Sequence, residues 1–121
     1  MNKLFNRQAP ENYIIYSGFR NEMTVNDKKG KCTVSQYNTE TGSETPLASM
    51  TYEWGEVSRP ALALSESILL NWLYGDALSP NRISRRIIQD FCVEVLRQMP
   101  HDGWQLGDSI VEAWLLHKAG E

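Results

Sequence analysis

The sequence predicts a single α+β domain in which a small antiparallel sheet of three or four strands packs against three helices that follow it. Three observations carry that expectation. β-branched and aromatic runs bounded by Gly, Asn and Asp turns fill the first half, whereas apolar residues at spacings of three and four fill the second. Strands first and helices afterwards is the order of an α+β chain with its helices on one sheet face. The length, 121 residues with 41% hydrophobic and 22% charged side chains, suits one hydrophobic core and not two.

Residues 1–12 show no period and are interrupted by Pro10, so a flexible N-terminal arm is expected, with the domain occupying 13–121. Tyr13-Ile14-Ile15-Tyr16 followed by Ser17-Gly18 reads as a first strand. A short strand is expected at 23–25, a turn at 26–30, and an alternating strand at 32–37. The stretch 38–46, rich in Thr, Gly, Ser and Glu, reads as an exposed loop, and a last strand is expected over 48–54. Ser58 or Arg59 can cap the first helix, with Pro60 in its first turn and Gly75-Asp76 at its end. Ser79 followed by Pro80 predicts the start of the second, and Ile83, Ile87, Ile88, Phe91, Val95 and Leu96 carry it to Met99, where Pro100 stops it. Asp108 caps the third, with Ile110, Val111, Trp114 and Leu115 as its stripe and Gly120 beyond it.

A formal charge of −3 gives no bulk attraction to phosphate polymers, so nucleic-acid binding would require a local basic face. Two cysteines, Cys32 and Cys92, are too few for a disulfide scaffold or a thiolate metal site. A reduced, cytoplasmic setting is expected, because residues 1–10 lack a signal-peptide core and no run is long enough to span a bilayer.

In order along the chain stand Tyr16 with Gly18, Trp54-Gly55, Ser58 with Pro60-Ala61, Leu69-Leu70, Gly75-Asp76, Phe91 with Val95, Pro100, Gly103-Trp104, Leu106, Ile110 and Trp114-Leu115. In this order the sequence resembles a family of short uncharacterised proteins, a domain of unknown function encoded by bacteria, plasmids and bacteriophages. It departs from that pattern at Arg59, where glycine is usual, and at Ser65-Glu66-Ser67, where a more continuous apolar helix is usual. The resemblance implies a fold and a mobile-element context, and no reaction.

No catalytic constellation stands out. His101 and His117 lack metal-ligand spacing, and no metal or other cofactor is expected; His101 and Asp102 are adjacent in a turn and should point apart. Cys92 on a helix core face and Cys32 in a strand read as small hydrophobes, and no Gly-x-Ser-x-Gly elbow or phosphate loop occurs. Glu53 and Glu56 flank Trp54-Gly55, and a hydrolase or transferase would need a cleft that holds them together with His101.

Arg82, Arg85 and Arg86 fall in the first two turns expected of the second helix, where positive charge opposes the macrodipole, and only Arg86 has an acid four residues on, Asp90. They either pair with Glu66, Asp76 or Glu53 or form an anion-attracting patch. Trp72 and Tyr74 flank Leu73 and cannot both face one core, so one of them is expected to be exposed beside the arginines. Trp54, Trp104 and Trp114 are expected in the core.

The expected function is therefore a non-enzymatic phage or mobile-element accessory protein that binds and inhibits a host protein or ribonucleoprotein, an anti-CRISPR or other anti-defence inhibitor being its most concrete version. Its expected contact surface is Arg82, Arg85, Arg86, Trp72 and Tyr74 with the acidic loop carrying Glu40 and Glu44. The alternative is a small nucleic-acid-binding regulator that uses the basic face of the second helix. No membrane partner is expected, and the sequence sets no oligomeric state.

Overall fold

The computed structural model describes residues 13–21, 25 and 30–120. Four strands, β1 (Ile14–Arg20), β2 (Cys32–Asn38), β3 (Ser43–Pro46) and β4 (Gly103–Gly107), form one antiparallel sheet in the order β3-β2-β1-β4. Three helices, α1 (Arg59–Tyr74), α2 (Arg85–Glu94) and α3 (Asp108–Ala119), cover one face of it, and a short 3-10 turn at Leu96–Gln98 follows α2. The fold is α+β, with three strands from the first half of the chain and the fourth from the second. The expected arm at 1–12 and the turn and short strand expected over 23–29 lie outside the described residues, apart from Val25, which is exposed.

Alternation along β1 sets the two sheet faces. Tyr16 and Gly18 face the helices, in register with Leu106 and Trp104 of β4 and with Gln36 and Val34 of β2. Phe19 and Tyr37 lie on the opposite, exposed face. Gly18 is required by the indole beside it: a Cβ here would sit 2.5 Å from Trp104 Cε2. Because the clash is with a buried ring, Gly18→Ala is expected to destabilise the fold by about 1–3 kcal/mol, the range for overpacked cores, read as a lower urea midpoint at unchanged slope. An unchanged midpoint would show that the indole can move aside.

α1 is bounded as the sequence indicates. Ser58 Oγ accepts from the Ala61 N–H at 3.3 Å, Pro60 stands in the first turn, and Gly75, at φ 75°, donates its N–H to Asn71 O. The buried stripe of Leu64, Ile68 and Leu69 meets Tyr16, Phe91 and Val111. Ser65 and Ser67, where the chain departs from the family pattern, are buried and bonded: Ser65 Oγ donates to Ile88 O at 2.7 Å, and Ser67 Oγ accepts from Tyr52 at 2.9 Å. Asn71 Oδ1 likewise accepts from the Tyr16 hydroxyl at 2.8 Å. Burial, with Asp108 nearby, pushes the Tyr16 hydroxyl pKa up and keeps it a donor.

Three expectations are corrected. No strand forms over 48–54; the ladder beside β2 is taken by 43–46, the stretch expected to be a loop, and Leu47 N–H donates to Val34 O at its end. The segment after it instead crosses the core edge irregularly, with Tyr52 and Trp54 buried. Gly103–Gly107, where the sequence predicts no strand, is β4. The second helix begins at Arg85 and not after Ser79, because Ser79 Oγ accepts from both the backbone and the side chain of Asn81, a local turn that competes with helix initiation. It also ends earlier, at Glu94.

α3 starts at Asp108, the residue expected to cap it, so the cap position falls one residue earlier at Gly107, and the buried Asp108 carboxylate accepts from the Tyr13 N–H at 3.2 Å. Lys118 of α3 bonds Glu94 of α2 at 2.6 Å, and Trp114 Nε1 donates to the same carboxylate. The Lys118 ammonium holds the Glu94 pKa below its usual range.

Candidate functional site

The arginines occupy the junction between α1 and α2. Arg85 and Arg86 are the first residues of α2, whereas Arg82 lies in the connection before it and not in a helical turn as expected. All three are exposed, and the first turn of α2 holds no acid. Arg86 Nε lies 3.7 Å from Asp90, with its side chain 83% exposed. Among the described residues the Arg82 and Arg85 side chains make no hydrogen bond or ion pair. The acids expected to neutralise them are otherwise placed: Glu53 is held by Arg20, Asp76 accepts from the Leu78 N–H, and Glu66 is exposed and forms no ion pair among the described residues.

Trp72 packs against the core, and Tyr74 is exposed. Leu73 and Leu78 are exposed beside Tyr74, before and after the end of α1, and give the junction an apolar component that periodicity did not single out. Glu40 and Glu44 belong to the β2–β3 hairpin, where Asn38 Oδ1 accepts from the Glu40 N–H and Glu44 accepts from Ser35 Oγ across the ladder. No hydrogen bond or ion pair among the described residues joins that hairpin to the arginines.

Sequence spacing alone could not reveal a second surface, a cleft of about 290 Å³ lined by Arg20, Glu53, Trp54, Gly55, Glu56, Arg97, Met99 and His101. It brings Glu53, Glu56 and His101 together, the grouping that an enzyme reading requires. The Arg20 guanidinium, with its side chain only 6% exposed, forms a two-pronged pair with Glu53 and donates through Nε to His101 O at 3.1 Å. Glu53 also accepts from the Trp54 N–H at 3.0 Å and from Cys32 Sγ at 3.5 Å. Its pKa is pulled down to about 2, chiefly by the hydrogen bond from Arg20. Glu53 is thus a fixed anion, unsuited to accept a proton near neutral pH.

The cleft walls are tied together. Trp54 Nε1 donates to Pro100 O and His101 O at 3.0 Å each, and Gly55 N–H donates to Leu96 O. Arg20 Cζ lies 5.0 Å above the Trp54 ring, and Trp104 meets that ring edge-on at 5.6 Å. His101 does not point away from Asp102 as expected: its Nδ1 lies 3.6 Å from the carboxylate. Cys92 is buried with its thiol pKa pushed up by that burial, and Cys32 is half-buried.

Among the described residues no group of three or more His, Cys, Asp or Glu could hold a metal ion, and no helix is long and apolar enough to cross a membrane. No protein-family model matches this chain, and neither a curated protein nor a solved structure matches it.

Proposed function

We propose that this chain is a binding protein that docks on an acidic protein surface through the α1–α2 junction. One observation carries the reading: Arg82, Arg85 and the loosely paired Arg86 are exposed at the same junction as Leu73, Tyr74 and Leu78. Positive charge at a helix start is locally unfavourable and finds little compensation among the described residues, whereas an acidic partner would compensate it. Exposed Tyr74 supplies an anchor of the type found at interface centres, and the two leucines add apolar surface beside it. In the mobile-element context implied by the resemblance, the partner is a host protein or ribonucleoprotein, and inhibition of a defence complex such as a CRISPR effector is the specific form to test.

The test compares the wild-type chain with Arg82→Glu/Arg85→Glu/Arg86→Glu and with Tyr74→Ala as bait in bacterial lysate, with nuclease, followed by affinity measurement on the purified partner. The expected result is a stoichiometric protein with an acidic contact surface, bound at least about 30-fold more weakly by each variant, as for an interface hot spot of 2 kcal/mol. Full retention by the triple variant would refute the assignment. Nucleic-acid binding is the competing outcome, and three phosphate contacts would cost it about 40-fold in affinity between about 50 and 200 mM salt.

A further inference from the structure

The cleft is separate from the docking junction. Arg85 begins the ten-residue α2 and Arg97 lies just beyond its other end, so the two surfaces are about 15 Å or more apart along that helix. Its floor is chemically saturated: Arg20 and Glu53 satisfy one another, and the backbone around them is hydrogen-bonded. At its rim, the side chains of half-buried Glu56 and exposed Arg97 make no hydrogen bond or ion pair among the described residues, although Glu56 O accepts from Cys92 Sγ at 3.7 Å, and the largely exposed His101 ring has its Nδ1 3.6 Å from Asp102. Gly55, at φ 78°, adds no side chain to the wall, and Met99 supplies an apolar contact. The Trp54 and Gly55 hydrogen bonds cross-link the backbone of the two walls, so the positions from which these side chains project are fixed before any ligand arrives.

We infer that the cleft binds a small molecule with an anionic head, phosphate or carboxylate, and a nearby ammonium or hydroxyl donor. Arg97 and His101 receive the anion, Glu56 receives the donor, and Met99 with the Trp54 edge contacts the intervening carbons. A guanidinium matches either oxyanion geometrically. A volume of about 290 Å³ stands at the lower end of small-molecule sites and suits a ligand of few heavy atoms. The binding requires no reaction and is independent of the docking proposal.

The test is a ¹H–¹⁵N NMR titration of the whole chain with three probes: inorganic phosphate, O-phosphoethanolamine and β-alanine. Saturable shifts are expected at Gly55, Glu56, Arg97 and His101, with phosphoethanolamine bound about tenfold more tightly than phosphate because only it offers an ammonium to Glu56. Glu56→Gln should remove that preference, and Arg97→Ala should weaken both phosphate probes about tenfold or more. The β-alanine arm decides between the two anions: saturation by it alone assigns a carboxylate. Failure of all three probes to shift the cleft signals, or shifts centred on Arg82, Arg85 and Arg86, would overturn the assignment. Equal shifts with chloride at matched ionic strength would mean an adventitious ion only, and would overturn it as well.

Discussion

Arg20→Ala is expected to lower the unfolding free energy by about 3–5 kcal/mol, the range for removing one partner of a buried ion pair. Arg20 and Glu53 side chains are only 6% and 12% exposed. Without the guanidinium, the carboxylate stays in the protein with the Trp54 N–H and the Cys32 thiol as its remaining donors. His101 O loses the Nε donor, and the Trp54 face loses its stacked cation. Most of the cost is the stranded charge, so the double variant Arg20→Met/Glu53→Leu should recover much of the loss. Urea unfolding followed by circular dichroism measures both variants. A loss below about 1 kcal/mol for Arg20→Ala would place the pair among ordinary surface bridges.

The same pair sets an acid-dependent term. Glu53 has a folded pKa of about 2 against an ordinary value of 4.5, so the folded state favours its ionised form. That stabilisation is fully present above about pH 4.5 and is lost as pH falls from there through about 2. At 1.36 kcal/mol per pKa unit the shift sets an upper bound of about 3 kcal/mol, lowered by solvent screening because the pair opens onto the cleft. Wild-type stability should therefore fall across this window more steeply than that of Glu53→Gln, which lacks the titrating group. Parallel profiles would show that other carboxylates dominate acid unfolding.

Local chemistry made α1 legible. Ser58, Pro60 and Gly75 act within one helical turn of themselves, so sequence and structure agree at both ends. The second helix was misplaced because Ser79-Pro80 satisfies the same local rule, while the hydroxyl bonds Asn81 instead. The 48–54 segment shows why alternation misleads: Tyr52 and Trp54 are buried and Thr51 is exposed, yet the β2 edge is already paired with β3. β4 depends on a non-local partner, β1, and its glycines argue locally against a strand. The arginine cluster is visible as a charge pattern, but the absence of side-chain partners for Arg82 and Arg85 among the described residues is not. The cleft was the least legible feature, since its residues come from the end of β1, the irregular 53–56 segment and the turn after α2. A paired Glu53 and Glu56 gave a signal for it, and Arg20 gave none.

Trp54→Ala is expected to cost about 3–5 kcal/mol, as for a buried aromatic truncated to alanine. Trp54 is 2% exposed and joins the 53–56 segment to the turn after α2 and to β4. Its N–H reaches the carbonyls of Pro100 and His101, its face meets Arg20, and the edge contact with Trp104 joins it to β4. Trp54→Phe separates these contributions, because it keeps an aromatic ring and removes the N–H. It should cost about 0.5–1.5 kcal/mol, the net worth of a typical hydrogen bond, because Pro100 and His101 are exposed and His101 O keeps its bond from Arg20. Since Trp54 and Arg20 share the His101 carbonyl and stack on each other, Trp54→Ala and Arg20→Ala should be non-additive by about 0.5–3 kcal/mol in a double-mutant cycle. Additive losses would mean that the two side chains support the fold separately. Coupling would make the cleft floor a single unit, in which the ion pair orients the indole and the indole shields the ion pair from water.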